Sequence, residues 1–502
     1  MNQKLEDTVL PRVSALSEGV GPEPAPRAPL GTDTCHESHP VTGRQPDPRS
    51  GHHRRLARVF LAASVCALAG ISEHATAEQS TSRNEPQTSH PLAFPGAQGW
   101  AAHTRGGRGG KILRVTTLAA KGPGSFLEAL ETAGPRVIVF EVGGVIDLHG
   151  QEIDIREPFL TIAGQTAPSP GITLIRAGVN IRAHDVIIRH IRVRTGTAGM
   201  ANRSGWEPDA MGTVSAYNVI VDHCSLTWAI DENLSASGPR FIGNGPDEWR
   251  QHTSHDITFS NNLIAEGLAN ATHAKGEHSK GSLIHDNVSR ILIVGNLYAH
   301  EYERSPLFKG GVRGAIVNNL IYDPGQRAVH YNLIAAEWGE HPFEVGEISL
   351  VGNVMRAGLS TPPDVALFML GGSGDVRLYM QDNIAVDRMG RPLPQIGRYT
   401  TSPAKIIELN TEPALPEGVK VLPSAEVQDS VIRNAGARPW QRDEHDWRVI
   451  ADTIEGRGHV INSQDEVGGY PEQTPAFQPF DASAWNLADM TPKQEPKYVP
   501  TH

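Results

Sequence analysis

Short runs of β-branched and aliphatic residues recur along the middle of the chain, each closing on a polar residue and a turn. VIVFEVGGVI begins at Val137, LTIAGQT at Leu160, VIIRHIRV at Val186 and VIVDHCSL at Val219. The series continues with ITFSNNLI from Ile257, ILIVGNLY from Ile291, AIVNNLIY from Ala315, ISLVGNVM from Ile348 and VRLYMQDNIA from Val376. Aligned on one pattern, apolar-x-x-polar-x-apolar, the polar anchors are Gln165, His190, His223, Asn262, Asn296, Asn319, Asn353 and Asn383, in steps of 23 to 39 residues. A fixed turn of about 22–25 residues with a loop of variable length accounts for these steps, whereas a propeller repeats every ~40–45 residues with four strands per blade. No long amphipathic helix separates the runs, which removes a (β/α) barrel.

The pattern therefore predicts an all-β fold: a right-handed single-stranded parallel β-helix with three short strands per coil. Like residues stack from coil to coil in such a solenoid, and the anchors are expected to form a ladder of amides that satisfy one another inside the coil. In that register His223 is expected to point inward and be hydrogen-bonded. Solenoid ends expose strand edges and need covering. The segment Ser125–Leu130 reads as an N-terminal cap helix, with Ser125 as N-cap and Glu128 at the third helical position. The strand signal fades near Ala385, so residues 95–385 are expected to form the β-helix and 386–502 an irregular C-terminal tail packed on it.

Ahead of the coil the pattern changes. Arg54, Arg55 and Arg58 precede an apolar run from Val59 to Ile71, and Ala75-Thr76-Ala77 supplies small residues. A basic stretch, a short apolar core and a small-residue cleavage site form a secretory signal, and the run is too short to span a bilayer. Residues 54–77 are read as this signal, 1–53 as a disordered extension and 78–94 as a linker. A secreted location, extracellular or periplasmic, follows. Of three cysteines, Cys35 and Cys66 precede the cleavage point, leaving Cys224 alone and no intrachain disulfide in the exported chain.

Composition narrows the function. With 39% apolar residues and no glycine period, the 502-residue chain is neither disordered nor collagen-like. A net charge of −11 argues against a nucleic-acid partner or an anionic membrane surface. Capped solenoids need no partner, so a monomer is expected. Acidic residues nevertheless gather on consecutive coils: Glu207 and Asp209, then Asp231 and Glu232, with Asp286 a weaker third. Rungs lie ~4.8 Å apart, so side chains from neighbouring coils can meet on one face. Oxygen ligands without cysteine or clustered histidine suit a hard cation, Ca²⁺ before Zn²⁺. Lys275, Lys280, Arg304 and Lys309 follow on later coils. Carboxylates that hold a cation beside a row of basic groups are what a polyuronate substrate requires.

These motifs carry a resemblance. DAMGTVSAYNVIVDHCSL, from Asp209, is similar to the Asp…Trp-Ile-Asp-His-Cys segment of the family 1 pectate lyases. HSKGSLI resembles their His-Asp-Lys-x-x-Leu-Ile stretch, and RSPLFKGGVRGAIVNNLIY their Arg-x-Pro-Arg-x-Arg run with its following strand. PGAQGWAAHTRGGRGGKILRVTTL and IAGQTAPSPGI resemble a bacterial branch of that family. The resemblance covers about residues 95–385 and implies Ca²⁺-dependent β-elimination on de-esterified galacturonan. It implies Asp209 and Asp231 as calcium ligands, with Glu207 and Glu232 able to join them. Lys280 matches the substrate-binding lysine, with Lys275 as rival; Lys309 stands for the third arginine of the motif, and Arg304 matches the base. The sequence departs from the family at Glu232, where a glycine is usual, at Ser235, where the last aspartate is missing, and at Leu307, where the middle arginine is missing.

Removing a proton from C5 of a uronate places charge beside an existing carboxylate, so cationic groups on that carboxylate are expected to stabilise the transition state most. An arginine ordinarily keeps its proton up to a pKa above about 12, so a base at Arg304 implies activity that rises toward alkaline pH. A pectin lyase acting on methyl esters would not need the acidic cluster. A polygalacturonase would need a tight aspartate set that is missing here. A non-catalytic β-helix polysaccharide-binding protein or adhesin would keep the coil and lose the chemistry.

Overall fold

The computed structural model describes residues 91–494 apart from 279, 414 and 417. The predicted extension, the export segment and the linker up to residue 90 lie outside them, as do residues 495–502. Among the described residues three long sheets run side by side, with eleven, nine and ten strands. Every strand pair within them is parallel except Val142–Asp147 with Ala476–Phe477, where a tail segment caps one edge in antiparallel fashion. Successive strands enter the three sheets in rotation, so the chain winds as a parallel β-helix.

Register explains why these short strands hold. Ile162, Ile188, Val221, Phe259, Ile293, Ile316 and Leu350 pair in sequence along the eleven-stranded sheet, and all are fully buried. Each strand alone is too short to be stable, but each inward aliphatic side chain gains about 1.5–3 kcal/mol on burial against its neighbours above and below. The predicted cap helix is present as Phe126–Glu131. Ser125 Oγ accepts from the Glu128 N–H, and Phe126 and Leu130 close the first coil.

The amide ladder occupies one corner of the later coils. Asn262, Asn296, Asn319 and Asn353 each donate from Nδ2 to Oδ1 of the next member, at 3.0, 3.0, 3.0 and 3.1 Å, ending at Asn383. Three expected members are not in it. Gln165 turns outward and donates to Met490 O. His190 and His223 sit one position earlier, because Ser225 pairs with Leu263 and places Cys224 beside Asn262. That earlier row is the turn itself: His190, His223, Asn261, Gly295, Asn318 and Gly352 all have φ between 51° and 68°. Asparagine and glycine tolerate this left-handed geometry, and a histidine adopts it less readily. The two imidazoles thus stack on each other outside the core, at 5.0 Å, and His223 is partly exposed rather than inward.

Strand pairing continues past Ala385, through Ile396–Arg398 and Ile406–Glu408. Two helices then follow, Ser424–Asn434 and Glu444–Glu455, which lay Val427, Val431, Val449 and Ile450 on Leu263, Leu297, Leu320 and Val354 of the ten-stranded sheet. Asp443 caps the second helix, and Gly456 ends it at φ 74°.

Candidate active site

The candidate side chains stand at the leading edge of the nine-stranded sheet. Asp209 precedes strand Met211–Val214, Glu232 precedes Leu234–Ser237, Lys280 precedes Leu283–Ile284, and Arg304 precedes Leu307–Lys309. The parallel register stacks them: Met211 pairs with Leu234, Glu232 bridges to Lys280, and Leu283 pairs with Leu307. One more coil adds Arg327, since Leu307 pairs with His330. Reading along the column, two acids are followed by three bases.

At the acidic end, one ligand oxygen each of Asp209, Asp231 and Glu232 lie within 4.8 Å of one another. Asp209 is held by the Glu232 N–H at 3.0 Å and by the hydroxyl of Ser235. Burial and the charge of Asp231 push Asp209 up to about 7. Burial and Asp231 likewise raise Glu232 well above the carboxylate range, against the opposing pull of Arg304. Asp231 moves the other way: burial opposes its charge, but His278, Arg304 and His273 outweigh it and hold it low.

At the basic end the cations are partnered. Arg304 donates to Glu232 from Nη1, and Lys280 Nζ is 2.8 Å from Glu303. Glu303 also pairs with Arg327, whose guanidinium lies 4.5 Å above the Tyr399 ring. A relay connects the two ends. Lys280 Nζ is 3.2 Å from His278 Nδ1, and His278 Nε2 is 2.8 Å from Asp231 Oδ1. An ammonium can only donate, so Nδ1 accepts and Nε2–H donates to Asp231. The ring is thereby neutral, in keeping with burial lowering His278 to about 3.

The structure separates three of the predicted residues from this cluster. Glu207 lies beyond His273, 3.3 Å from its Nδ1, and accepts from Ala274 N. Lys275 is exposed in the same loop. Lys309, five residues along its strand from Arg304, is buried against Glu337 and Asp286. Asp286, the weaker third acid, is locked by Arg240 at 3.0 Å and by the Trp338 indole at 2.8 Å. His278, Glu303 and Arg327 were not among the candidates. His278 was legible, because residues two apart in extended chain share a face and it lies two before Lys280.

Two further groupings of possible ligands are already spent. In Asp231–His273–His278, both nitrogens of His278 are engaged as described. In His190–Asp222–His223, the Asp222 oxygens accept from Ser260, Asn261, Arg189 and His223. The three carboxylates are the set that fits a divalent cation: hard oxygens, forced together, with two held above their ordinary range by burial and by the charge of Asp231. Glu232, Lys280 and Arg304 are 3%, 2% and 2% exposed, whereas the Asp231 side chain is 31% exposed.

A parallel coil carrying a buried acid–base column on one sheet edge defines a class, and relatives place the chain within it. It is 30% identical over 383 residues to "Probable pectate lyase C" of Neosartorya fischeri, covering 75% of this chain and 81% of that one. The Aspergillus oryzae protein of the same name is 29% identical over 407 residues, covering 80% and 87%. A solved "Pectate lyase bound to hexasaccharide" superposes with a TM-score of 0.45 at 15% identity, over 70% of this chain and 99% of that one. The chain matches no family model. It is a lyase built on a parallel β-helix. It belongs to the pectate lyase family, and the two relatives named are fungal.

Proposed function

We propose that the chain is a secreted, calcium-dependent pectate lyase that cleaves de-esterified homogalacturonan by β-elimination, acting as a monomer with Arg304 as base. The observation that supports this most is the meeting of Asp209, Asp231 and Glu232 within 4.8 Å, on the coils directly before Lys280 and Arg304. These three carboxylates would hold Ca²⁺, which when bound supplies positive charge beside the uronate carboxylate. Lys280 offers an ammonium to that same carboxylate once a uronate displaces Glu303. Arg304 takes the C5 proton, the C5 electron pair forms the C4–C5 double bond, and the C4 oxygen departs with the leaving chain. Arg304 donates to Glu232; drawing Glu232 toward Asp209 and Asp231 would remove that carboxylate from the guanidinium and favour its giving a proton to solvent, the state in which it can take the C5 proton. Arg304 is 2% exposed, so a polymer reaches it only when the surrounding side chains part. The family-1 bacterial-branch reading rests on the opening motifs from Pro95 and Ile162.

The test is formation of unsaturated uronate from polygalacturonate, followed by absorbance with and without EDTA. Signal that EDTA abolishes and Ca²⁺ restores is expected, and Asp231→Asn is expected to raise the Ca²⁺ needed for half-maximal rate by about tenfold or more. Shortened products without unsaturation would instead mean hydrolysis, and binding without any product would mean a carbohydrate-binding protein.

A further inference from the structure

The second feature built for a ligand lies away from the acid–base column, where the tail helices meet the corner carrying His190 and His223. A cavity of about 1300 Å³ opens there, and no residue of the column lines it. This exceeds the ~300–1,000 Å³ of ordinary small-molecule pockets, so it has room for a chain of several sugar units. Its charge is opposite to that of the protein as a whole. Arg433, Arg438, Arg442 and Lys493 line it with one carboxylate, Asp481, and Arg189, itself paired with Asp222, lines it too, in a chain with net charge −11. Its walls are aromatic: Trp440, Trp447 and Trp485 all line it.

Arg438 shows what is missing. It is 6% exposed, its Nη atoms donate only to neutral oxygens of Ala167 and Gln441, and its Nε is buried without a hydrogen-bond partner. Its Cζ lies 5.2 Å from the centroid of the Trp440 ring. Burial and the neighbouring Arg192 bring it down to about 9, so an anion beside it would relieve a buried positive charge. The stacked imidazoles add fixed polarity. His190 Nδ1 is 2.8 Å from Ala437 O and so donates, which leaves its Nε2 as an acceptor suited to a hydroxyl, and His223 Nδ1 is 2.7 Å from Asp222 Oδ2.

From these features we infer that the cavity under the tail binds an anionic oligosaccharide, with tryptophans stacking on sugar rings and arginines taking the carboxylates. This is a binding site separate from the place of cleavage, and it is read by binding alone, so it stands or falls apart from the lyase assignment. Full-length protein carrying Arg304→Ala is titrated calorimetrically with trigalacturonate, and with maltotriose as a neutral trisaccharide. Trigalacturonate is expected to bind, and adding Trp447→Ala or Arg433→Glu is expected to weaken one binding event by about tenfold or more. Maltotriose is expected to give no event. Trp447 is 37% exposed and Arg433 is on the surface, so neither change empties the core, and the charge reversal leaves packing intact. Affinities unchanged by both added substitutions, no trigalacturonate binding, or equal binding of maltotriose would each overturn the proposal. If the cavity event is present in wild-type protein that makes no unsaturated product, the site stands and the lyase reading fails.

Discussion

Beneath the helix Glu444–Glu455, two arginines from a strand meet two carboxylates from the tail; along the edge of the nine-stranded sheet, three carboxylates meet one another. Arg194 grips Asp443 with two bonds of 2.8 Å and reaches Asp446 at 3.0 Å, while Arg192 Nε and Ser225 Oγ complete Asp446 at 3.1 and 2.7 Å. Burial acts against Asp443, yet Arg192 and Arg194 overcome it and hold the carboxyl far below its usual range. At the sheet edge burial wins instead, and Asp209 and Glu232 are driven up. The same coil thus uses buried charge in two ways. Where signs balance, the ions clamp the tail. Where like charges are crowded, burial and mutual repulsion push two of the three carboxyls up.

Three experiments sharpen or break this contrast. The largest effect is expected for Arg304→Ala, which should lower lyase turnover by about 10²–10⁴-fold, the usual worth of a positioned proton acceptor. Near wild-type rates in a steady-state assay would remove Arg304 from the chemistry. Next comes Asp443→Ala in the balanced cluster. Breaking a buried pair by deleting one partner costs about 3–5 kcal/mol, so urea unfolding should shift to lower concentration while turnover in the cold is kept. An unchanged midpoint would mean the clamp contributes nothing. The smallest effect concerns Glu301, under the site, where Asn233 Nδ2 donates to Oε1 at 2.7 Å. Burial raises Glu301 to about 8, so the folded state holds its proton more tightly than the unfolded chain does. Its contribution is full below the ordinary carboxylate range and is lost as pH rises toward about 8. Glu301→Gln keeps the acceptor and removes the ionisation, so its gain in melting temperature should be larger at pH ~9 than at pH ~5. An equal gain at both would place the cause elsewhere.

Much of the fold was legible because a solenoid repeats its physics locally. Asn262, Asn296, Asn319, Asn353 and Asn383 announce a ladder by spacing alone, and Ser125 with Glu128 announces the cap. His190 and His223 misled because one residue separates the turn row from the ladder row, and both rows favour polar side chains. The acidic trio was legible as well, since Asp209 and Asp231–Glu232 lie one coil apart. Lys309 was not: its partners Glu337 and Asp286 come from other coils, and no spacing in the motif reveals that they neutralise it. Glu303 and Arg327 escaped for the same reason, being visible only once register aligns Leu307 with His330.

The chain of asparagine amides has one more effect. It fastens each later turn of the spiral at a single corner, so the opposite outline is free to lengthen or shorten between fasteners. Segments such as Gly238–Ser254, with the helix Pro246–His252, bulge from that free outline without disturbing the heights at which Glu232, Lys280 and Arg304 are stacked. Variation in polymer preference among such proteins can therefore accumulate in the outer contour while the reacting groups keep their vertical spacing.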